Sequence, residues 1–386
     1  MRRDPRILDC IIIGAGQAGL SAGRLAQGAG LDFLIVEKGE AAGQAWTERA
    51  PDHLLFTPRA ISKLPGLLMS EGPQTGYPTN AEMARYFDSY ARIFDLPLRT
   101  NCPVVRLSRV SGIFEIALED GTMLSARTVV LANGSNQSPH VPAALAEPIA
   151  HCTTQTNARD FWQSKPKPGA RVLVVGDGAS GRQTALDHAA QGFDTQLAGI
   201  GRRLAPARIM GKSIFEWLLA LRLLQADKDT ARARLLRHLN PVPSKKALGN
   251  NALRDAGVEL RPKLVSTMPA LDTTGTTCGQ ATFSDGTVKF CDHIVWCVGY
   301  QEESPFNEAA IDKPEDWYTK GRGLTDLPGL FVTGRVWLTS RMSELILGAP
   351  VDAERAMNGV IRHLAQRASA KVGSSAPQTF KEQHHA

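Results

Sequence analysis

Two short glycine-rich segments of the chain have the residue types and the spacing of an anion-binding turn. The first is Gly-Ala-Gly-Gln-Ala-Gly at 14–19, and the second is Gly-Asp-Gly-Ala-Ser-Gly at 176–181. In such a turn the first glycine permits the sharp bend, the second lets a pyrophosphate approach the backbone, and the third lets the following helix pack against the strand. The helix N-terminus then offers unpaired N–H groups and a partial positive charge to the anion. The two segments therefore predict two dinucleotide-binding sites.

Each glycine turn has the surrounding elements that such a site requires. Both segments follow a short apolar run and precede a run with helical periodicity, after which a second extended run follows. The predicted strand, helix and strand of the two units are, in order, 9–13, 20–27 and 32–37, and then 171–175, 182–191 and 194–198. A tight turn without a ligand is common in isolation, but two copies in this context favour the binding interpretation. We therefore predict an α/β fold with two Rossmann-like dinucleotide-binding domains.

The ends of the two second strands differ in charge. The first strand ends at Glu37, whose carboxylate can accept hydrogen bonds from ribose hydroxyls, as expected for FAD or NAD. The second strand is followed by Arg202 and Arg203, which suit the 2′-phosphate of NADPH. A solvated basic turn is the alternative interpretation of these two arginines.

The remaining segments extend the two units into similar halves. Hairpin turns are predicted at 119–121 and 284–286, each followed by an apolar strand. Two runs with helical periodicity, 214–224 and 230–239, predict a small helical insertion at about 205–254 in the second half. This insertion is interpreted as a substrate lid or a surface-binding element, and a packed helical pair is the alternative.

The positive charge of the chain is concentrated in the same region. The formal net charge is +6, whereas residues 202–246 alone contain eleven Lys or Arg and three Asp or Glu, an excess of +8. A basic patch within one segment suits a phosphorylated cofactor, an acidic substrate or an anionic surface. Because no helix-turn-helix, zinc or RNA-binding signature accompanies the patch, we expect no nucleic-acid partner.

Composition and spacing disfavour several other classes of protein. The chain has 386 residues, 43% hydrophobic and 21% charged, which is typical of a globular protein with two or more domains. With no secretory leader and no run of ~18 apolar residues, we expect a cytoplasmic protein without an integral membrane segment. The cysteines nearest in sequence, Cys291 and Cys297, lie in a strand-like segment, so a dithiol redox site is not expected. The histidines lack metal-site spacing and no Gly-x-Ser-x-Gly elbow is present, so we expect neither a metal nor Ser-His-Asp hydrolysis.

Further stretches of the chain resemble flavin-containing monooxygenases of the type with two dinucleotide-binding domains. The likeness is closest to compact bacterial members and to plant-type indole-3-pyruvate monooxygenases, and it runs from about residue 9 to residue 364. The stretches that carry it, besides the glycine turns, are 42–46, 53–58, 131–134, 295–300, 329–334 and 347–353. The chain departs from the family at Ala42, where the family has glycine. It also departs at Leu145 and Glu147, where the family's motif before the second turn has Phe and Gly, while His151 fits that motif.

The resemblance implies an enzyme that uses FAD and NADPH. In this family NADPH reduces the flavin, and the reduced flavin reacts with molecular oxygen to give a C4a-hydroperoxide that oxygenates a small organic or organometalloid substrate. We expect a discontinuous FAD-binding domain at 1–150 and 290–386, with the NADPH-binding domain inserted at 151–289. An NAD(P)H-dependent flavoprotein reductase of quinones or other acceptors is the alternative, a flavoprotein scaffold or redox sensor is a further one, and a homodimer is left open.

The glycine turns and the resemblance together assign the residues of the predicted sites. Those predicted to bind a cofactor are Gly14, Gly16, Gln17, Gly19, Glu37, Lys38, Gln44, Trp46, His53, Val105, Asn133, Gly134, Gly176, Gly178, Ser180, Gly181, Arg202, Arg203, Gly299, Gly334 and Leu347. Gln44 and Asn133 are also the candidates for catalytic residues near the flavin, with a capping or turn role as the alternative.

Overall fold

A computed structural model describes residues 2–201, 204–239, 242–244, 248–302, 306–308, 317–318 and 320–374. Its helices are α1 (Gln17–Gly28), α2 (Gln44–Thr47), α3 (Asn80–Ile93), α4 (Ala143–Ala146), α5 (Ala179–Ala190), α6 (Ile214–Ala220), α7 (Ala231–Leu239), α8 (Asn250–Asp255) and α9 (Ala349–Ser374). Its strands are β1 (Arg2–Ile13), β2 (Phe33–Val36), β3 (Leu98–Arg99), β4 (Val104–Val110), β5 (Ile113–Leu118), β6 (Thr122–Leu131), β7 (Ser138–Pro139), β8 (Thr154–Asn157), β9 (Arg171–Val175), β10 (Asp194–Ala198), β11 (Leu204–Pro206), β12 (Arg208–Ile209), β13 (Lys212–Ser213), β14 (Val242–Ser244), β15 (Glu259–Arg261), β16 (Leu264–Leu271), β17 (Thr277–Phe283), β18 (Val288–Cys291), β19 (His293–Trp296), β20 (Tyr300–Gln301) and β21 (Leu330–Val332).

Two parallel sheets with the same plan form the framework. In the first sheet the order is β3-β2-β1-β6, and β21 pairs with β6 in parallel. In the second sheet the order is β15-β10-β9-β19-β8, also parallel throughout. The antiparallel strands β5 and β4 extend the first sheet, whereas β16, β17 and β18 form a separate antiparallel sheet in the second half. The predicted α/β fold with two Rossmann-like units is confirmed.

The apolar cores lie on the faces of these sheets. On one face of the first sheet, Ile12 and Ile35 pack with Leu20 of α1, Phe87 of α3 and Met357 of α9, all buried. Separate buried clusters fill the other face of the first sheet and both faces of the second. Strands covered on both faces explain why the apolar runs before the glycine turns are continuous rather than alternating.

Several predicted boundaries differ from those of the structure, each for a local reason. Helix α6 begins at the predicted residue because Ser213 and Glu216 form a capping box. It ends at Ala220 rather than at 224, because Arg222 has a left-handed backbone (φ 54°). The strand that follows the predicted hairpin turn at 119–121 is β6, which runs without a break from Thr122 to Leu131. Strand β19, which the predicted boundary at residue 290 places in the first domain, pairs with β8 and β9 of the second sheet.

The chain crosses between the two sheets twice, and the two crossings pair with each other. Strands β7 and β20 are antiparallel, with Pro139 opposite Tyr300. The His140 amide extends this pairing by donating to the Gly299 carbonyl oxygen at 2.9 Å. The link between the two halves is therefore a two-stranded ribbon rather than two independent loops.

Within the described ranges, no helix combines the length and apolar character needed to cross a bilayer. Nor does this part of the chain contain a group of three or more His, Cys, Asp or Glu side chains that could hold a metal ion.

Candidate functional site

The first glycine turn connects β1 to α1. It is tightly packed at Gly14 and Gly19, where the helix meets the strand, and open at Gly16. Gly14 has a φ of 106°, which residues with a side chain rarely adopt. A Cβ on Gly19 would overlap the Gly14 carbonyl oxygen, so only glycine lets α1 pack this close to the strand. A Cβ on Gly16 would meet nothing within 4 Å. The open space over Gly16, at the N-terminus of a 12-residue helix, fits a pyrophosphate.

The second glycine turn, between β9 and α5, repeats this geometry. Gly176 has a φ of 112°, and a Cβ on Gly181 would overlap its carbonyl oxygen. A Cβ on Gly178 would again meet nothing within 4 Å. The same backbone shape, produced by two different sequences, fits a second pyrophosphate at the N-terminus of α5.

Glu37 lies directly against the first glycine turn. The residue is 8% exposed. Its Oε2 accepts a hydrogen bond from the Ala15 amide at 2.7 Å, and its Oε1 accepts one from the Gly39 amide at 2.9 Å. These two backbone bonds fix the carboxylate beside the turn, where its remaining lone pairs can accept from ribose hydroxyls. The neighbouring Lys38 is exposed.

The segment that carries Gln44 and Trp46 is bound to the same turn. The Gly43 amide donates to the Ala15 carbonyl oxygen at 2.9 Å, and α2 then begins at Gln44. Trp46 Nε1 lies 3.4 Å from Gln17 Oε1, at the first residue of α1. The structure thus brings together four predicted FAD-site residues, namely Gln17, Glu37, Gln44 and Trp46, around one turn.

The ends of β6 and β21 lie next to each other and close to α1. A Cβ on Gly334, after β21, would lie 2.7 Å from the Ala18 Cβ. Asn133, after β6, accepts a hydrogen bond at its Oδ1 from Arg335 Nη2 at 2.7 Å, and the Gly134 carbonyl oxygen accepts from Arg335 Nη1. Sequence analysis identified Asn133, Gly134 and Gly334 but missed Arg335. The signal that was available is a charged residue directly after the glycine that ends an apolar strand.

Two predicted cofactor residues lie away from this turn. His53 Nε2 is 2.6 Å from Asp187 Oδ2, a residue of α5, so His53 bridges the first half of the chain to the second. Val105 lies where the register of the edge strand β4 is irregular, and 51% of it is exposed. Strand β4 begins shortly after Cys102, whose amide donates to the Glu37 carbonyl oxygen at 2.9 Å.

The second glycine turn has its own charged residues, which sequence analysis did not identify. A Cβ on Gly199, just after β10, would overlap the side chain of Asp177. Arg182, in the first turn of α5, is 3% exposed. It donates to the Asp177 carbonyl oxygen at 3.1 Å, to the Leu248 carbonyl oxygen at 3.0 Å and to Asn250 Oδ1 at 2.8 Å. The described hydrogen bonds of this buried guanidinium go to neutral oxygens, and its charge also interacts with the carboxylate of Asp177 in the same turn.

Other residues predicted for the NADPH site are placed as follows. Ser180 is exposed at the start of α5. Gly299 has a φ of 104° at the crossing that ends in β20. Arg202 and Arg203 lie outside the described residues.

Leu347 belongs to an apolar cluster between the helical insertion and the segment before α9. Its partners include Phe215 of α6, Leu224 and Met342. The Met342 amide donates to the Leu224 carbonyl oxygen at 3.2 Å. The insertion is therefore docked on the segment that leads into α9, next to the first half of the chain.

The cysteines do not form a redox pair. All six are free thiols. Burial raises the pKa of both Cys291 and Cys297 to about 12, so neither is a thiolate at neutral pH.

A family model and several known proteins are similar to this chain over most of its length or about half of it. Residues 11–208 match the family model of pyridine nucleotide-disulphide oxidoreductases. An uncharacterized CzcO-like oxidoreductase of Geobacillus kaustophilus is 30% identical over 92% of this chain and 99% of its own length. The indole-3-pyruvate monooxygenase YUCCA1 of Oryza sativa subsp. japonica is 25% identical over 86% of this chain and 88% of its own.

A solved structure shows the same fold. The flavin-containing monooxygenase from Stenotrophomonas maltophilia superposes with a TM-score of 0.72 at 23% identity, covering 94% of this chain and 100% of that one. The chain therefore belongs to the pyridine nucleotide-disulphide oxidoreductase family and is an oxidoreductase.

Proposed function

We propose that this protein is an FAD- and NADPH-dependent monooxygenase, with FAD at the first glycine turn and NADPH at the second. The observation that carries the proposal is the repeated glycine turn. We call each turn, with the helix N-terminus that follows it, a cradle. Gly16 and Gly178 each leave open space at a helix N-terminus, and only the first cradle has a buried carboxylate, Glu37, reaching it from the second strand. That pattern supports an unphosphorylated adenosine in the first cradle.

The proposed domain division follows the two sheets. The FAD-binding domain comprises 1–150 and the C-terminal part of the chain, and the NADPH-binding domain lies between them. Because β19 pairs with β9, we place the return crossing at Gly299–Gln301 rather than at residue 290. The helical insertion belongs to the middle domain by sequence and contacts Met342 of the C-terminal part.

In the proposed mechanism the residues of the chain bind, orient and shield. The amides at the start of α1 and Glu37 would hold the pyrophosphate and ribose of FAD. Bound there, FAD would supply the chemistry by which a hydride from NADPH is used with molecular oxygen, one oxygen atom going to a small organic or organometalloid substrate and the other to water. Asn133 and Gln44 are proposed to face the flavin, with Asn133 oriented by Arg335. The docked insertion excludes water from the site, which such oxygen chemistry requires.

The competing function is a reductase that passes electrons from NADPH to a quinone or another acceptor. The absence of a thiolate pair agrees with both functions, so kinetics must separate them. The experiment mixes NADPH-reduced protein with oxygen and follows both oxygen uptake and the flavin spectrum. A monooxygenase consumes oxygen well before the oxidised flavin spectrum returns. Simultaneous oxygen uptake and flavin reoxidation, together with fast quinone reduction in air, would support the reductase.

A further inference from the structure

A buried arginine, Arg335, connects the strand ends of the FAD-binding half to the ribbon between the two halves. It follows Gly334 directly after β21, and its side chain is 4% exposed. Its Nη2 donates to Asn133 Oδ1 at 2.7 Å, and its Nη1 donates to the Gly134 carbonyl oxygen. Its Nε lies 3.4 Å from Glu302 Oε2. Two guanidinium nitrogens therefore donate hydrogen bonds to the end of β6, whereas Nε makes no hydrogen bond within the described residues and attracts Glu302 as an ion pair.

These partners belong to the two crossings of the ribbon and lie at the same end of it, because the antiparallel register places Ser138 opposite Gln301. The chain leaves the first sheet through 133–140 and returns through 299–302, and the two crossings are joined by β7 and β20. Glu302 comes immediately after β20 and also accepts a hydrogen bond from the Tyr318 hydroxyl. The Tyr318 ring centre lies 5.8 Å from the Arg335 guanidinium carbon. A single side chain thus ties the outgoing crossing to the returning one.

Loss of the Arg335 side chain would affect its partners Glu302 and Asn133 differently. Burial favours the neutral form of Arg335, but an arginine remains charged at all physiological pH values, so the buried charge depends on the oxygen atoms around it. Glu302, with 35% of its side chain exposed, can be hydrated when the arginine is removed. The Asn133 Oδ1, in contrast, loses the hydrogen bond from a buried cationic donor. Removing Arg335 therefore weakens the attachment of both crossings to the end of β6.

We propose that Arg335 is a positioning residue that couples the orientation of the second domain to the flavin-facing end of β6. The proposal rests on the proposed function, because coupling matters only if a dinucleotide in the second domain must meet FAD in the first. Its structural part, a ribbon fixed by Arg335, does not depend on either cofactor.

The test compares Arg335→Gln and Arg335→Lys with a matched control, Arg59→Gln. Arg59 is also a buried arginine of the first half, with 8% of its side chain exposed, and its Nη2 contacts Glu82 at 2.7 and 2.6 Å, away from the ribbon. Amide hydrogen exchange is measured on peptides covering 133–140 and 299–302 in the protein without NADPH. We expect exchange there to accelerate about tenfold or more in Arg335→Gln, less in Arg335→Lys, and not in Arg59→Gln.

A second readout separates positioning from loss of binding. In Arg335→Gln the rate of flavin reduction at saturating NADPH should fall at least about tenfold, while the dissociation constant of FAD changes only a few-fold. If Arg335→Gln does not fold, Glu302→Gln tests the other end of the link and should accelerate exchange in the 299–302 peptide. Unchanged exchange in either variant, or equal acceleration in Arg59→Gln, would overturn the proposal. A wild-type protein that binds no FAD would refute the proposed function but leave the exchange result standing.

Discussion

The two glycine turns share one backbone shape but differ in the charge around them. At the first turn, the carboxylate of Glu37 comes from the end of the second strand and accepts the Ala15 amide of the turn. At the second, the carboxylate of Asp177 belongs to the turn itself and lies against Gly199, where the second strand has ended. Only the second turn has a buried arginine, Arg182, in the helix that follows. In the proposed function, the shared backbone shape holds a pyrophosphate at each turn, and the residues at the end of the second strand select the adenosine.

The two sheets also differ in how a buried polar residue at one matching strand position is hydrogen-bonded. In the first sheet Thr128 of β6 lies opposite Cys10, and its hydroxyl donates to the Asp9 carbonyl oxygen at 2.6 Å. At the corresponding position of the second sheet, His293 of β19 lies opposite Val172. Neither ring nitrogen of His293 has a hydrogen-bond partner within the described structure. The second sheet therefore contains a polar group that is buried at a cost.

The largest effect is expected from Gly19→Ala. Its Cβ would overlap the Gly14 carbonyl oxygen, so α1 must move away from β1. We expect little folded protein and no bound flavin, measured by thermal unfolding and by the flavin content of the purified protein. Gly16→Ala, whose Cβ meets nothing within 4 Å, should keep its stability within ~0.5 kcal/mol and yet bind FAD weakly.

The matched change in the second turn makes this prediction sharper. The Cβ added by Gly178→Ala would also meet nothing within 4 Å, so this variant should fold normally and keep its bound FAD. It should lose reduction by NADPH. If Gly16→Ala binds FAD with native affinity, or Gly178→Ala is reduced normally, the space above that glycine is not a pyrophosphate site.

The next effect is a pH dependence that originates in the second sheet. Burial lowers the pKa of His293 to about 4, and the neighbouring His188, whose pKa burial also lowers, adds to this shift. Because an unfolded histidine titrates near ~6.5, the native state binds fewer protons between these values, and stability is full above ~6.5 and is lost as pH falls towards 4. The loss from His293 alone is at most about 3 kcal/mol. Urea unfolding at pH 7.5 and 5 should show it.

His293→Phe should reduce this pH dependence, while the exposed His151→Gln should leave it unchanged. An equal dependence in the wild type and His293→Phe would mean that the buried histidine is not its source.

Cofactor preference gives a smaller effect. Replacing Arg202 and Arg203 together by alanine should raise the dissociation constant of NADPH ten- to a hundredfold, corresponding to a lost charge-assisted contact of ~1.5–3 kcal/mol. Binding of NADH should not change, since it has no 2′-phosphate. The comparison is made by titrating each nucleotide against the variant and the wild type. If the variant still prefers NADPH over NADH as the wild type does, these arginines do not bind the 2′-phosphate.

The smallest effect is expected from Glu37→Gln. The amide retains one acceptor oxygen, so either the Ala15 or the Gly39 amide loses its partner, at a cost of ~1 kcal/mol. FAD affinity should fall several-fold, whereas the affinity for NADPH should stay the same. A change in NADPH affinity instead would mean that the two cradles are not separate in function.

Patterns local in sequence predicted most of the fold. The glycine turns and the strands β9 and β10 lie at their predicted positions, because apolar runs and glycines act over a few residues. The early end of α6 was not found, because it depends on the backbone of Arg222 rather than on periodicity. The pairing of β19 with β9 could not be read from its own residues, since strand neighbours are fixed by contacts over long separations.

The candidate site shows the same limit. Glu37 was predicted from its place after a strand, but the two backbone amides that hold its carboxylate are a tertiary feature. Arg335 is 202 residues away in sequence from Asn133, whose amide it orients, so no local pattern could link them. The role of His53 was predicted from resemblance, whereas the structure pairs it with Asp187 of the other half.

The most direct test of two cooperating cradles is an anaerobic titration of the FAD-loaded protein with NADPH, followed through the flavin absorption band. We predict that the band bleaches with one equivalent of NADPH, and that Gly178→Ala keeps the band but no longer bleaches. Protein that takes up no FAD, or FAD that NADPH leaves oxidised in the wild type, would contradict the account.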